Sequence, residues 1–214
     1  MNTPFPLLTQ ARRMPLVAIL RGLVPAEAAA IGSALYEGGF RALEVPLNRP
    51  GAIECIDVLT RALPADALIG GGTMLSKADV DAVHGAGGRL MVSPNCDVRV
   101  IAHAASLGML CAPGVVTPTE AFAALQAGAH ALKLFPADMV GHSGLKALLS
   151  VVPADTDFWP VGGVTPESMG PWVKAGAAGF GIGGQLFSPG TTAAEVGVKA
   201  RAYLQAWEAS QRPA

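Results

Sequence analysis

Residues 117–135 read TPTEAFAALQAGAHALKLF, and this stretch decides the fold. Thr117-Pro118 supplies a hydroxyl cap and then a proline at the first helical position, where its missing N–H costs nothing. Helical periodicity follows over 119–127. Ala127-Gly128 ends it where a C-terminal cap favours a left-handed residue. Residues 131–135 form a short apolar run that reads as a buried strand. A helix feeding a buried strand through a few residues is half of a parallel βαβ unit.

Outward from there the unit repeats. Strand-like runs occupy 16–20, 42–47, 68–73, 89–93, 110–113, 131–135, 158–164 and 179–183. Helical periodicity occupies 26–37, 52–62, 76–86, 98–107, 119–127, 145–152, 167–175 and 193–207. Thr165-Pro166 repeats the helix start, and Glu37-Gly38-Gly39 and Ala175-Gly176 repeat the stop. Eight strands alternating with eight helices predict one parallel sheet clothed in helices. The expected fold is α/β: a single (β/α)8 TIM barrel over residues 1–214, with a short N-terminal helix before the first strand. An open doubly wound sheet is the alternative. The count of eight and the lack of GxGxxG after the first strand weigh against it.

Composition narrows the function classes. Of 214 residues, 51% are hydrophobic and only 14% charged, which excludes a disordered chain. The formal net charge is -1, and no basic cluster exceeds Arg12-Arg13, so nucleic acid is not an expected partner. No apolar run reaches the ~18 to 20 residues of a membrane-spanning helix. The run from Met14 to Leu20 stops at Arg21, too early for a secretory signal, and a cytoplasmic protein is expected. Cys55, Cys96 and Cys111 lack CxxC spacing and read as buried reduced thiols. His84, His103, His130 and His142 show no HxxxH or HxH spacing, so no metal is expected.

A barrel places its active site at the C-terminal ends of the strands. Lys133 stands inside the apolar run Ala131-Leu132-Lys133-Leu134-Phe135, whereas Lys77, Lys146, Lys174 and Lys199 fall on helices. By strand alternation Lys133 faces opposite to Leu132 and Leu134, hence into the barrel. A buried amine sheds its proton and becomes a nucleophile for carbonyl carbon. The plain alternative is a structural ion pair. Glu44, in Ala42-Leu43-Glu44-Val45-Pro46, is the matching carboxylate, a proton shuttle or that structural partner. Arg21 closes the first strand and suits a carboxylate or phosphate, or a simple salt bridge. Gly70-Gly71-Gly72-Thr73, Gly162-Gly163 and Gly183-Gly184 end the third, seventh and eighth strands. Glycine loops after strands seven and eight, leading into helix N-termini, match the recurrent phosphate site of barrels. Together these residues are the equipment of a Schiff-base lyase acting on a phosphorylated keto compound. An isomerase or epimerase barrel using Lys133 as a base is one rival, and a binding barrel without catalysis is another.

Leu43-Glu44-Val45, Gly71-Gly72-Thr73, Ser93-Pro94-Asn95, Pro113-Gly114, Leu132-Lys133-Leu134-Phe135-Pro136 and Gly162-Gly163-Val164 recur in order along nearly the whole chain. In this the sequence resembles the 2-keto-3-deoxy-6-phospho-sugar-acid (KDPG/KHG) aldolase family. The resemblance implies a metal-independent class I aldolase without cofactor, a homotrimer cleaving phosphorylated keto-deoxy acids to pyruvate and glyceraldehyde 3-phosphate. It implies Lys133 as the imine-forming lysine and Glu44 as general acid/base. It implies Gly72 and Thr73 as holders of the pyruvyl carboxylate with Arg21 nearby. Pro94 and Phe135 would line the pyruvyl pocket, and Gly162, Gly163, Gly183 and Gly184 would form the phosphate end.

Within that family, Ile19-Leu20-Arg21-Gly22, Pro46-Leu47-Asn48 and Val161 resemble the galactonate branch. The gluconate branch carries threonine at the Val161 position. Valine cannot hydrogen-bond the substrate C4 hydroxyl, which removes a preference of ~1 to 3 kcal/mol. The expected substrate is therefore 2-dehydro-3-deoxy-6-phosphogalactonate, with its gluconate epimer or 4-hydroxy-2-oxoglutarate as alternatives. Arg49 receives no binding role. Gln185 departs from the Ser or Asp of relatives, so phosphate contacts there are expected to differ.

Overall fold

A computed structural model describes residues 5–211; the expected domain limits, 1 and 214, lie outside the described residues. A short helix, α1 (Pro6–Arg13), leads into β1 (Leu16–Ile19), α2 (Pro25–Glu37), β2 (Ala42–Pro46), α3 (Ala52–Ala62), β3 (Leu68–Gly72) and α4 (Lys77–Gly85). There follow β4 (Leu90–Ser93), α5 (Val98–Ser106), β5 (Leu110–Val115), α6 (Pro118–Gln126), β6 (Leu132–Leu134) and α7 (Ala137–Leu149). The last elements are β7 (Phe158–Pro160), α8 (Pro166–Lys174), β8 (Phe180–Ile182) and α9 (Ala193–Ser210). The strands run in the order β7-β6-β5-β4-β3-β2-β1-β8. The parallel bridge from Val161 to Gly181 joins β7 to β8 and closes the ring. This is the (β/α)8 barrel the alternation predicts.

Local chemistry sets the element ends. Thr117 and Thr165 each cap a helix in a reciprocal capping box, with Pro118 and Pro166 in the first turn. Gly128 and Gly176 follow α6 and α8 with φ of 102° and 106°. Several element ends differ from expectation, among them those of β7, α7 and β5. Strand β7 stops at Pro160 rather than 164, because Gly162 and Gly163, at φ 114° and 66°, turn the chain out of the sheet. Helix α7 starts at Ala137 rather than 145; Gly141, at φ 68° and ψ 175°, interrupts it and masks the period. Strand β5 runs on to Val115, which lets Gly114 pair with Lys133.

Two apolar cores result. Leu16, Leu43, Ile69, Met91, Leu132 and Phe158 face outward and pack beneath the helices. Val17, Leu68, Leu90, Leu110, Ala131 and Trp159 face inward and fill the N-terminal half of the lumen. Phe5, Leu7 and Leu8 pack against that inner cluster, so α1 plugs the N-terminal mouth. Each fully buried side chain of this size contributes roughly 1.5–3 kcal/mol. Arg12 of α1 holds the plug by two bonds to the Asp157 carboxylate, at 2.7 and 3.1 Å. The C-terminal mouth is left open. Cys55 and Cys111 are buried as expected, whereas Cys96 is only half-buried. No described helix is long and apolar enough to cross a membrane.

Candidate active site

Lys133 sits mid-barrel on β6. Its strand neighbours Leu132 and Leu134 join the outer core, and Lys133 itself faces the lumen at 7% exposure. Desolvation is the largest influence on its amine and lowers its pKa; the Arg21 charge lowers it too, while Glu44 opposes both. The ammonium end lies 4.8 Å from the centre of the Phe135 ring, which stands on the same face two residues on.

Glu44 comes from the middle of β2 and is 1% exposed. Burial pushes its carboxyl up to about 7, against the pull of Lys133 and Arg21. No ion pair or hydrogen bond joins it to Lys133, and its Oε2 has no protein partner at all. Gly72 at the end of β3 explains how the carboxylate fits. A Cβ at position 72 would coincide with the Glu44 carboxylate, so glycine there opens the slot the acid occupies.

An open cavity of about 350 Å3 lies over this pair on the β1, β6, β7 and β8 side. Arg21, Lys133, Phe135 and Val161 line it, together with Gly162, Gly163, Gly183 and Gly184. The loop glycines meet nothing where a Cβ would stand at 163 and 184, leaving bare backbone at the cavity wall. Helix α8 starts soon after Gly163. After β8 a single turn closes first, as Leu186 and Phe187 donate to the Gly183 carbonyl, and α9 starts at the expected Ala193. Arg21 is exposed at the rim, donating to Asn48 Oδ1 at 2.9 Å.

The remaining sequence-predicted residues fall on the opposite side of the mouth. Thr73 follows Gly72 with φ 53°, a left-handed conformation that costs a β-branched residue about 1–3 kcal/mol. Pro94 follows β4, and its carbonyl lies against Gly114, where a side chain would collide. Ser93 Oγ donates to the Asn95 carbonyl at 2.7 Å and fixes that turn. None of Gly72, Thr73 and Pro94 borders the 350 Å3 cavity. Lys133 and Glu44 instead share a second, small niche of about 10 Å3 beneath it.

Chemically the mouth offers an amine biased to the neutral form and a carboxyl that gives and takes protons near neutrality. Its glycine-walled cavity can admit an anion.

The profile of the KDPG and KHG aldolase family matches residues 7–198.

The chain belongs to this family.

It is 47% identical over 195 residues to the probable 2-dehydro-3-deoxy-6-phosphogalactonate aldolase of Rhizobium meliloti (strain 1021), covering 91% of this chain and 92% of that one. The 2-dehydro-3-deoxy-6-phosphogalactonate aldolase of Escherichia coli (strain K12) is 44% identical over 195 residues, 91% of this chain and 95% of its own. A solved structure described as native KDPGal superposes with a TM-score of 0.91 at 43% identity, covering 92% of this chain and 96% of that one. For this KDPG and KHG aldolase family member, sequence reasoning missed Ser188 and Pro189, which wall the cavity from the loop after β8. It also missed Trp159, whose apolar strand setting gave no signal beyond core packing.

Proposed function

We propose that this aldolase cleaves 2-dehydro-3-deoxy-6-phosphogalactonate to pyruvate and glyceraldehyde 3-phosphate through a Schiff base on Lys133. One observation carries the reading: the deprotonation-prone amine of Lys133 borders the open cavity and faces the buried Glu44. The neutral amine attacks the C2 ketone. Glu44 moves a proton from nitrogen to oxygen to give the carbinolamine, then gives its own proton to that hydroxyl, which leaves as water to form the iminium. The C4 hydroxyl then loses its proton as the C3–C4 electron pair flows to the iminium nitrogen, releasing glyceraldehyde 3-phosphate. The enamine takes a proton at C3, and water frees pyruvate.

Gly72 and Thr73 hold the pyruvyl carboxylate with Arg21 at the rim, and Pro94 and Phe135 flank the pyruvyl methyl. Gly162, Gly163, Gly183 and Gly184 receive the phosphate, whose binding far from the breaking bond orients the chain for reaction. Val161 stands by C4 without a hydrogen-bonding group. The galacto epimer is favoured by the names of the relatives and by that valine. The working enzyme is a cytoplasmic homotrimer that needs neither metal nor cofactor.

Borohydride reduction in the presence of pyruvate tests the chemistry: a reduced adduct on Lys133 is expected, and its absence favours an isomerase or epimerase in which Lys133 is only a base. Cleavage of the two C4 epimers tests the substrate. Wild type should accept the galacto epimer, and Val161→Thr should shift the ratio toward the gluco epimer by about 10-fold or more. A ratio untouched by the substitution would remove Val161 from the argument.

A further inference from the structure

Two buried side-chain atoms among the described residues lack a hydrogen-bond partner: Glu44 Oε2 and Trp159 Nε1. One is an acceptor and the other a donor, and both residues border the same niche of about 10 Å3, together with Lys133. Trp159 is the register partner of Lys133 across β6 and β7, so the two side chains leave the sheet side by side into the lumen. The indole is 3% exposed. Its pyrrole edge faces β8: a Cβ on Gly179 would lie 3.0 Å from Trp159 Cδ1, the atom bonded to Nε1. Gly181, the next inward residue of β8, borders the niche as well.

A buried indole N–H normally finds a partner, and a buried orphan donor costs about as much as a lost hydrogen bond. A niche of this size accommodates about one water, and a buried water needs two to four polar partners. The niche wall is mostly apolar, and the three residues bordering it whose side chains can hydrogen-bond a water are Trp159, Glu44 and Lys133.

We propose that Trp159 is a positioning residue, its indole N–H anchoring one ordered water that links Glu44 Oε2 to the Lys133 nitrogen from beneath. The water accepts from Trp159, donates to Glu44 and meets the lysine nitrogen. It keeps acid and amine in contact although no direct bond joins them. This rests on the aldolase reading and adds to it a partner that the reading does not require. The charged groups facing Glu44 are Lys133 from β6 and Arg21 after β1.

The test is Trp159→Phe, which keeps an aromatic ring and removes only the N–H and the smaller ring. Expected is a fall in kcat of about 10- to 100-fold with KM nearly unchanged. The pH–rate inflection belonging to Glu44 should also move upward, since its carboxylate loses a hydrogen-bonded water. A purely structural tryptophan would alter thermal stability and leave the inflection in place; that result, or an unchanged kcat, overturns the proposal. If Trp159→Phe fails to fold, wild-type protein decides. The indole N–H signals are assigned with Trp172→Phe and Trp207→Phe. The Trp159 signal should resist solvent exchange and shift as Glu44 titrates, and the shift should vanish in Glu44→Gln. A Trp159 signal that is constant with pH overturns the link. Wild-type borohydride trapping is run alongside: failure to trap strikes the aldolase reading, while the indole signal still judges the water link on its own.

Discussion

The two ends of the barrel each carry a cation and a carboxylate, and they treat them in opposite ways. At the N-terminal end Arg12 and Asp157 are joined by two short bonds, with a third from Arg12 to the Asp155 carbonyl at 3.0 Å. At the C-terminal end Lys133 and Glu44 are more deeply buried, yet no bond joins them and one carboxylate oxygen is orphaned. A satisfied pair fixes the plug helix to the barrel. An unsatisfied pair keeps its proton affinities displaced, the amine downward and the carboxyl upward, which chemistry can use and stability cannot. The lower end is built for closure and the upper end for reaction.

Removing the upper amine should break the contrast most severely. Lys133→Ala is expected to lower aldol cleavage by at least about 10⁴-fold, to background, because no other amine borders both cavities. Its thermal midpoint should fall little, since the amine contributes no bond to the fold. Initial-rate assays beside a melting curve check both halves. Full activity in this variant would end the Schiff-base reading.

Glu44→Gln should cost about 10² to 10⁴ in kcat, the usual worth of a positioned acid/base. It also sharpens the contrast through pH. The Glu44 carboxyl is raised from 4.5 to about 7, so burying it adds no penalty below its unfolded value. As pH rises from 4.5 to about 7 the unfolded chain gives up the proton that the folded chain still holds. Wild type therefore loses stability across that window, and Glu44→Gln should not. Denaturation at pH 5 and pH 8 should show the variant gaining relative to wild type only at the higher pH. Equal differences at both would mean the carboxyl titrates normally.

Gly72→Ala comes next. A methyl there would occupy the Glu44 carboxylate position, and the flexible end of the acid must give way rather than the backbone. Displacing the acid by about an ångström should cost on the order of 10²-fold in rate. The fold should persist, because Gly72 lies on the extended backbone of β3. Unchanged kinetics would show that the acid works from a different rotamer.

How much of this was legible in sequence follows from the physics of each feature. Strand alternation alone turned Lys133 and Glu44 inward, because a charge in an apolar run has only two faces to choose from. Helix ends were legible where Thr-Pro and Gly mark them. Helix α7 was half hidden because Gly141 breaks its period from within. Gly72 could be named but its reason could not, since the side chain that fills its missing Cβ belongs to another strand. Trp159 was invisible as a polar group: an indole in an apolar strand reads as core, and only its unmatched N–H says otherwise. The Arg12–Asp157 clasp spans 145 positions, which no local pattern reaches.

That clasp gives the smallest effect and the cleanest control. The guanidinium is 47% exposed and the carboxylate 12%, so solvent screens much of the attraction. Its two-pronged geometry places it near the top of the range for such pairs, about 1 kcal/mol. Asp157→Asn keeps the shape and removes the charge, and should lower stability by about that amount, less at high salt. Rate constants for cleavage should be unchanged, because the lumen residues Val17, Leu90, Leu110 and Trp159 stand packed between the two ends. If Asp157→Asn slowed turnover as much as it loosened the fold, the apolar layer would be transmitting strain from the plug to the amine. The division of the barrel into a closing end and a reacting end would then fail.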